Sequence, residues 1–136
     1  MGVFSCDKIP DPNNKITNQL GFSTLISNLS KYGEPGSHFV TIVIRRNKII
    51  YFDPLGGKCS NHYIMRYMKK FQNEITYVSK SIQDDLSFHC GLYALGLCFA
   101  LDSGCTLLQY LSKFHFDPQN LYLNDNIVTD YICKSL

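Results

Sequence analysis

From Gly91 to Leu101 the chain reads Gly-Leu-Tyr-Ala-Leu-Gly-Leu-Cys-Phe-Ala-Leu, without one charged residue or polar face. Such a run falls well short of the ~18 apolar residues a membrane span needs. As a helix it is apolar all round, and a helix of that kind is a buried one. The whole chain has 136 residues, which fits one domain, 1–136, of ordinary size. At this length folding buries about two-thirds of the unfolded surface, so there is one core and little spare chain. The rest of the sequence must pack around this segment.

Composition narrows the class. A hydrophobic fraction of 45% with 18% charged residues is that of a globular protein and excludes a disordered tail or a solenoid. Thirteen basic against eleven acidic side chains leave +2, too little to make nucleic acid the default partner. Arg66, Lys69 and Lys70 share one helix face, which reads as a solvated surface with at most weak DNA affinity. No signal peptide precedes Val3, and the expectation is a soluble, intracellular protein without a membrane partner. Met1-Gly2 opens like a myristoylation signal, but Cys6 stands where Ser or Thr is wanted.

Six cysteines, Cys6, Cys59, Cys90, Cys98, Cys105 and Cys133, are numerous for this length. Without a secretory signal they are expected as reduced thiols. No CxxC pair occurs, and Cys59-Ser-Asn-His62 is a metal half-site without a second half. Structural zinc needs four ligands, so no metal and no cofactor are expected.

Strands are expected mostly before helices, an α+β arrangement. Residues 7–18 read as loop, 22–29 as a short strand or helix, and 31–37 as a turn. Phe39–Arg45 and Lys48–Asp53 are β-branched and aromatic and form a hairpin about Arg46-Asn47. Ser60–Gln72 reads as a helix capped by Ser60 or Asn61, with Ile64, Tyr67, Met68 and Phe71 at helical spacing. Ile75–Val78 is a further strand. Thr106–Phe114 and 119–133 read as two amphipathic helices.

Cys90 opens the buried helix and is followed by Gly91. Unpaired N–H groups and the helix dipole favour a thiolate there, and the same donors can face a developing oxyanion. Gly91 would let a substrate backbone approach closely. Taken alone, Cys90 reads more readily as a core thiol, a common place for free cysteine. A nucleophilic cysteine needs a base, and the base an orienting partner. A two-residue hairpin turn pairs Ile44 with Ile49, Val40 with Asp53 and His38 with Leu55. That register makes His38 and Asp53 diagonal neighbours on one face, roughly 7–8 Å apart at the backbone; a slip of one would separate them. A loop histidine and a turn aspartate remain the alternative. Gln83 could donate N–H to an oxyanion, although a loop glutamine by itself means little. His89 beside Cys90 suits a substrate-facing or partly solvated position better than that of a base.

The order His38, Asp53, Gln83, Cys90 brings a family into view. Gly36-Ser-His-Phe39, Tyr51-Phe-Asp-Pro-Leu-Gly56 and Ser81-Ile-Gln-Asp-Asp-Leu-Ser-Phe-His-Cys-Gly-Leu-Tyr93 resemble the adenovirus maturation proteases, the adenains. The opening Gly2-Val-Phe-Ser-Cys-Asp-Lys-Ile-Pro10 is similar to the segment that borders that family's substrate groove. Relatives occur in large DNA viruses and Maverick/Polinton elements, and the SUMO-specific proteases are distant cousins. The resemblance covers residues 2–101.

It implies a papain-like α+β fold, with the nucleophile opening a central helix on a mixed or antiparallel sheet. It implies His38 as base, Asp53 as its orienting acid, Gln83 as an oxyanion donor and Cys90 as nucleophile. Phe39, Gly91 and His89 would contact substrate. Phe39 stands where the family usually has Trp over a narrow glycine-binding cleft, and Asp53 where it often has Glu. The implied activity is that of a cysteine endopeptidase cleaving viral capsid or core precursors after glycine during virion maturation, in a virion or in host nucleus or cytoplasm. Adenain takes an activating peptide through a disulfide; no cysteine lies between Phe71 and Gln83, so any activating peptide would bind here without that link. The alternatives are a SUMO- or ubiquitin-like deconjugating protease and a catalytically silent, protease-like binding module. Oligomeric state is not legible.

Overall fold

Strand-forming residues dominate the first half of the chain and helix-forming ones the second, and the architecture follows that division. The computed structural model describes residues 2–10, 21–46, 48–71 and 74–136. Five strands, β1 (Gly2–Ser5), β2 (Phe22–Asn28), β3 (Phe39–Arg45), β4 (Lys48–Phe52) and β5 (Glu74–Tyr77), form one sheet in the order β1-β2-β3-β4-β5. The three central strands are antiparallel, while β1 runs parallel to β2 and β5 parallel to β4. The fold is thus α+β on a mixed sheet. Helix α1 (His62–Lys69) lies between β4 and β5 in sequence, and α2 (Cys90–Asp102), α3 (Leu107–Leu111) and α4 (Asn124–Ser135) follow the sheet.

Alternation sorts the strand residues into two cores. Val40, Ile42, Ile44, Ile49 and Tyr51 face one way and pack with Ile64, Tyr67 and Met68 of α1. Val43, Ile50 and Phe52 face the other way and pack with Tyr93, Leu97 and Leu101 of α2 and Val128 and Ile132 of α4. The result is three layers, α1, the sheet, then α2 to α4. Because both faces are covered, β3 is buried from Val40 to Ile44, which explains its near-continuous apolar run.

The hairpin has the register expected from its sequence, with Ile44 opposite Ile49 and Thr41 opposite Phe52; of its two turn residues, Asn47 lies outside the described residues. Asn61 caps α1, its side chain accepting from the N–H groups of Tyr63 and Ile64. The all-apolar segment is α2, and its Tyr93, Ala94, Leu97 and Cys98 are fully buried. Gly96 is the point of closest approach on this helix. A Cβ there would sit 2.6 Å from the Tyr110 hydroxyl, which donates to the Tyr93 carbonyl at 2.8 Å.

Three elements differ from expectation. β1 is a strand that its four residues were too few to announce. Helix α3 stops at Leu111, and Phe114 turns inward to pack on Tyr110 and Tyr93 at 5.1 and 5.7 Å between rings. The final segment is two elements: Pro118–Leu123 is a 3₁₀ turn, and α4 begins only at Asn124. Proline starts the turn, and Asn124 is drawn wholly inside. Of the expected 7–18 loop, residues 11–18 lie outside the described residues. Among the described residues no helix is long and apolar enough to cross a membrane.

Candidate active site

His38 stands one residue before β3, and Asp53 one residue after β4. The antiparallel register brings those two strand ends together. The end of β2 fixes the approach to His38: Leu29 N–H donates to the His38 carbonyl at 2.9 Å, and the Asn28 carboxamide oxygen accepts from Ser37 N–H. Asp53 is fixed by its own turn, where Oδ1 accepts from Leu55 N–H at 2.9 Å and the carbonyl accepts from Gly56 N–H at 2.7 Å. That is the Asx-turn chemistry favoured by aspartate. The same Oδ1 lies 2.6 Å from His38 Nε2, with both side chains about 15% exposed (15% and 14%). A contact that short, largely out of water, is a charge-assisted hydrogen bond.

With Nε2 committed to Asp53, Nδ1 is the ring nitrogen left for a second partner, and the Cys90 sulfur is close enough for each group to shift the ionisation of the other. Cys90 is the first residue of α2, and the helix is seated by Thr41 Oγ1 donating to the Ala94 carbonyl at 3.0 Å. The bond from His38 holds the Cys90 thiol below its ordinary range; burial opposes this, and the N–H groups of Phe39 and Gly91 reinforce it. For His38, burial works against the charged ring, but the bonds to Asp53 and Cys90 prevail and raise it to about 9. The two shifts have one sense, each favouring the charged form of its group, the thiolate of Cys90 and the imidazolium of His38. Cys98, in the same helix but enclosed by apolar side chains, is pushed up to about 11 by its burial. Position at the helix start and a histidine partner distinguish the two thiols.

Gln83 is 3% exposed. The Pro54 carbonyl accepts from the N–H groups of Ile82 and Gln83 at 2.9 and 3.0 Å, so the segment carrying Gln83 is tied to the Asp53 turn. One Nε2–H of Gln83 goes to the Ser87 carbonyl at 3.0 Å, and Oε1 is buried without a hydrogen-bond partner. The Ser87 carbonyl sets the amide orientation, since the flipped form would oppose two oxygens. Nε2 carries a second N–H beside the one given to Ser87.

The other expected site residues are placed as follows. The Phe39 ring lies against the first turn of α2, within 3.5 Å of where a Gly91 Cβ would be, and packs with Ile26, Ala94 and Cys98. It also borders a cleft of about 260 Å³ lined by Val3, Phe4 and Ser5 of β1, Asn28 and Tyr32. The His89 side chain is 41% exposed, with Nδ1 3.3 Å from Asp125 Oδ2 but without hydrogen-bond alignment. Its ring is therefore engaged with α4. Asp125 and Asn124 have no counterpart in the sequence reading, because nothing in the amphipathic pattern of 119–133 marks them. Compared with known proteins, the sequence matches no family model and no curated protein.

Proposed function

We propose that the protein is a cysteine endopeptidase of the adenain type, with a papain-like arrangement of the nucleophile's helix on the sheet. One observation carries this reading: His38 is held by Asp53 at 2.6 Å, and its ring interacts with the Cys90 sulfur closely enough to lower that thiol. A core thiol and a loop histidine have no need of that geometry.

In this mechanism the Cys90 thiolate attacks a peptide carbonyl carbon, forming a C–S bond and an oxyanion. The backbone N–H of Cys90, at the first position of α2, has no intrahelical acceptor, and with the free Nε2–H of Gln83 it stabilises that charge. The imidazolium of His38 gives its proton to the leaving amine as the C–N bond breaks. Neutral His38 then takes a proton from water, whose oxygen displaces the thiolate from the thioester. Asp53 keeps the ring oriented throughout. Phe39 beside Gly91, with the cleft along β1, supports an extended substrate with glycine at the cleavage point, as in maturation of viral precursor proteins.

Digestion of a library of glycine-containing peptides, read by mass spectrometry, tests the assignment. Wild type is expected to cut after glycine and Cys90→Ala to cut nothing. Cleavage that persists in the alanine variant, or a wild type that leaves every peptide whole, overturns it.

A further inference from the structure

Residues 124 and 125 open α4, far in sequence from every residue placed in the mechanism, yet both reach the loop that carries Gln83. Asn124 is fully buried. Its Nδ2 donates to the Ile82 carbonyl at 2.7 Å and to the His115 carbonyl at 2.8 Å, and its Oδ1 accepts from His115 N–H. Asp125 Oδ1 accepts from Ser87 Oγ and from the Tyr93 hydroxyl, each at 2.8 Å, and Oδ2 faces His89. Ser87 Oγ in turn accepts from His89 N–H at 3.1 Å, and the Ser87 carbonyl is the acceptor that orients Gln83. The loop from Ile82 to Cys90 is thereby held at both ends by the first turn of one helix.

We propose that Asp125 is a positioning residue for the oxyanion donor Gln83, acting through Ser87; this rests on the peptidase reading above. The buried, unpartnered Oε1 of Gln83 is the second observation that points the same way. An amide placed only for stability would satisfy that oxygen, because an unpaired buried acceptor is costly. Gln83 Nε2 is instead held on the Ser87 carbonyl, and Ser87 is the residue whose hydroxyl Asp125 grips. The Asp125 carboxylate accepts from Ser87 and Tyr93 and lies beside the His89 ring, so all three of its contacts fall within the loop and helix start.

The test compares two reactions of Cys90. With p-nitrophenyl acetate the sulfur attacks the carbonyl carbon, an oxyanion forms, and p-nitrophenolate leaves as the thioester closes. With iodoacetamide the sulfur displaces iodide and no oxyanion arises. Asp125→Ala is expected to slow acylation about 10- to 100-fold, within the range for loss of an oxyanion donor, while alkylation and its pH profile stay as in wild type. Asp125→Asn keeps an acceptor for Ser87 and Tyr93 and should restore most of the acylation rate. In a Gln83→Ala background Asp125→Ala should add little, because the two act as a unit. Should Asp125→Ala fail to fold, Ser87→Ala carries the same comparison, since it removes the link and leaves the carboxylate on Tyr93. Acylation unchanged in Asp125→Ala and Ser87→Ala, or losses fully additive with Gln83→Ala, overturns the role of Asp125 alone. A wild type that alkylates but never acylates overturns the peptidase reading and this role with it.

Discussion

His38→Ala is expected to lower peptide cleavage by ~10⁴-fold or more, the scale seen when a member of a catalytic unit is removed. On the peptidase reading the variant loses the proton donor for the leaving amine, and with it the interaction that chiefly holds the Cys90 thiol down. Two consequences separate this from simple misfolding. Alkylation of Cys90 should survive but move to higher pH, because helix-start N–H groups remain while the imidazolium is gone. The pH dependence of wild-type cleavage should have two limbs, rising as Cys90 ionises below the ordinary thiol range and falling near pH 9, where His38 loses its proton.

The same ionisation links to stability. The His38 value is raised from 6.5 to about 9 on folding, so its contribution is complete below 6.5 and is lost as pH rises through about 9. The stability difference between wild type and His38→Ala, measured by urea unfolding, should therefore shrink across that window. A difference that grows with pH would contradict the ion pair.

Gly56→Ala is the second large effect. Gly56 has φ of +83°, a conformation that costs an ordinary residue ~1–3 kcal/mol. Here the missing side chain also matters. A Cβ would lie 2.8 Å from the Ser79 carbonyl oxygen, 2.9 Å from the Lys80 carbonyl carbon and 2.9 Å from Ser81 N. All three are backbone atoms, so no rotamer change relieves the contact, and the 79–81 segment must move away. That segment leads directly into Ile82 and Gln83, whose N–H groups bond Pro54. The expected result is a loss of ~2–4 kcal/mol, strain and overpacking combined, with kcat reduced ~10²-fold as Gln83 leaves its position. Cys90 alkylation should change little, because His38 and α2 are held by other contacts. Chemical denaturation with parallel cleavage and alkylation assays reads all three quantities.

These effects show which parts of the site are legible in the chain. A two-residue hairpin connection fixes register, and register makes His38 and Asp53 neighbours, so their proximity can be read from His38–Asp53. An apolar run without a polar face can only be interior, so α2 follows, with Cys90 at its start, while a role for that thiol comes only with the family resemblance. Gln83 is different. Its polar loop carries no period, and what orients it is a carbonyl at Ser87 and a carboxylate at Asp125, 38 residues further along. Side-chain bonds over such separations leave no periodic trace. The same reason hides Asn124, which looks like one more polar position on an amphipathic helix yet is fully buried. β1 was hidden by length, since four residues show no alternation worth reading.

The central claim is that Cys90 rests as a thiolate against protonated His38. The ultraviolet absorbance of the thiolate, taken as wild type minus Cys90→Ala across a pH titration, measures it without substrate. The absorbance difference should titrate with its midpoint below the ordinary thiol value of ~8.5. A difference that emerges only above that value would show a neutral thiol beside a neutral imidazole and contradict the claim.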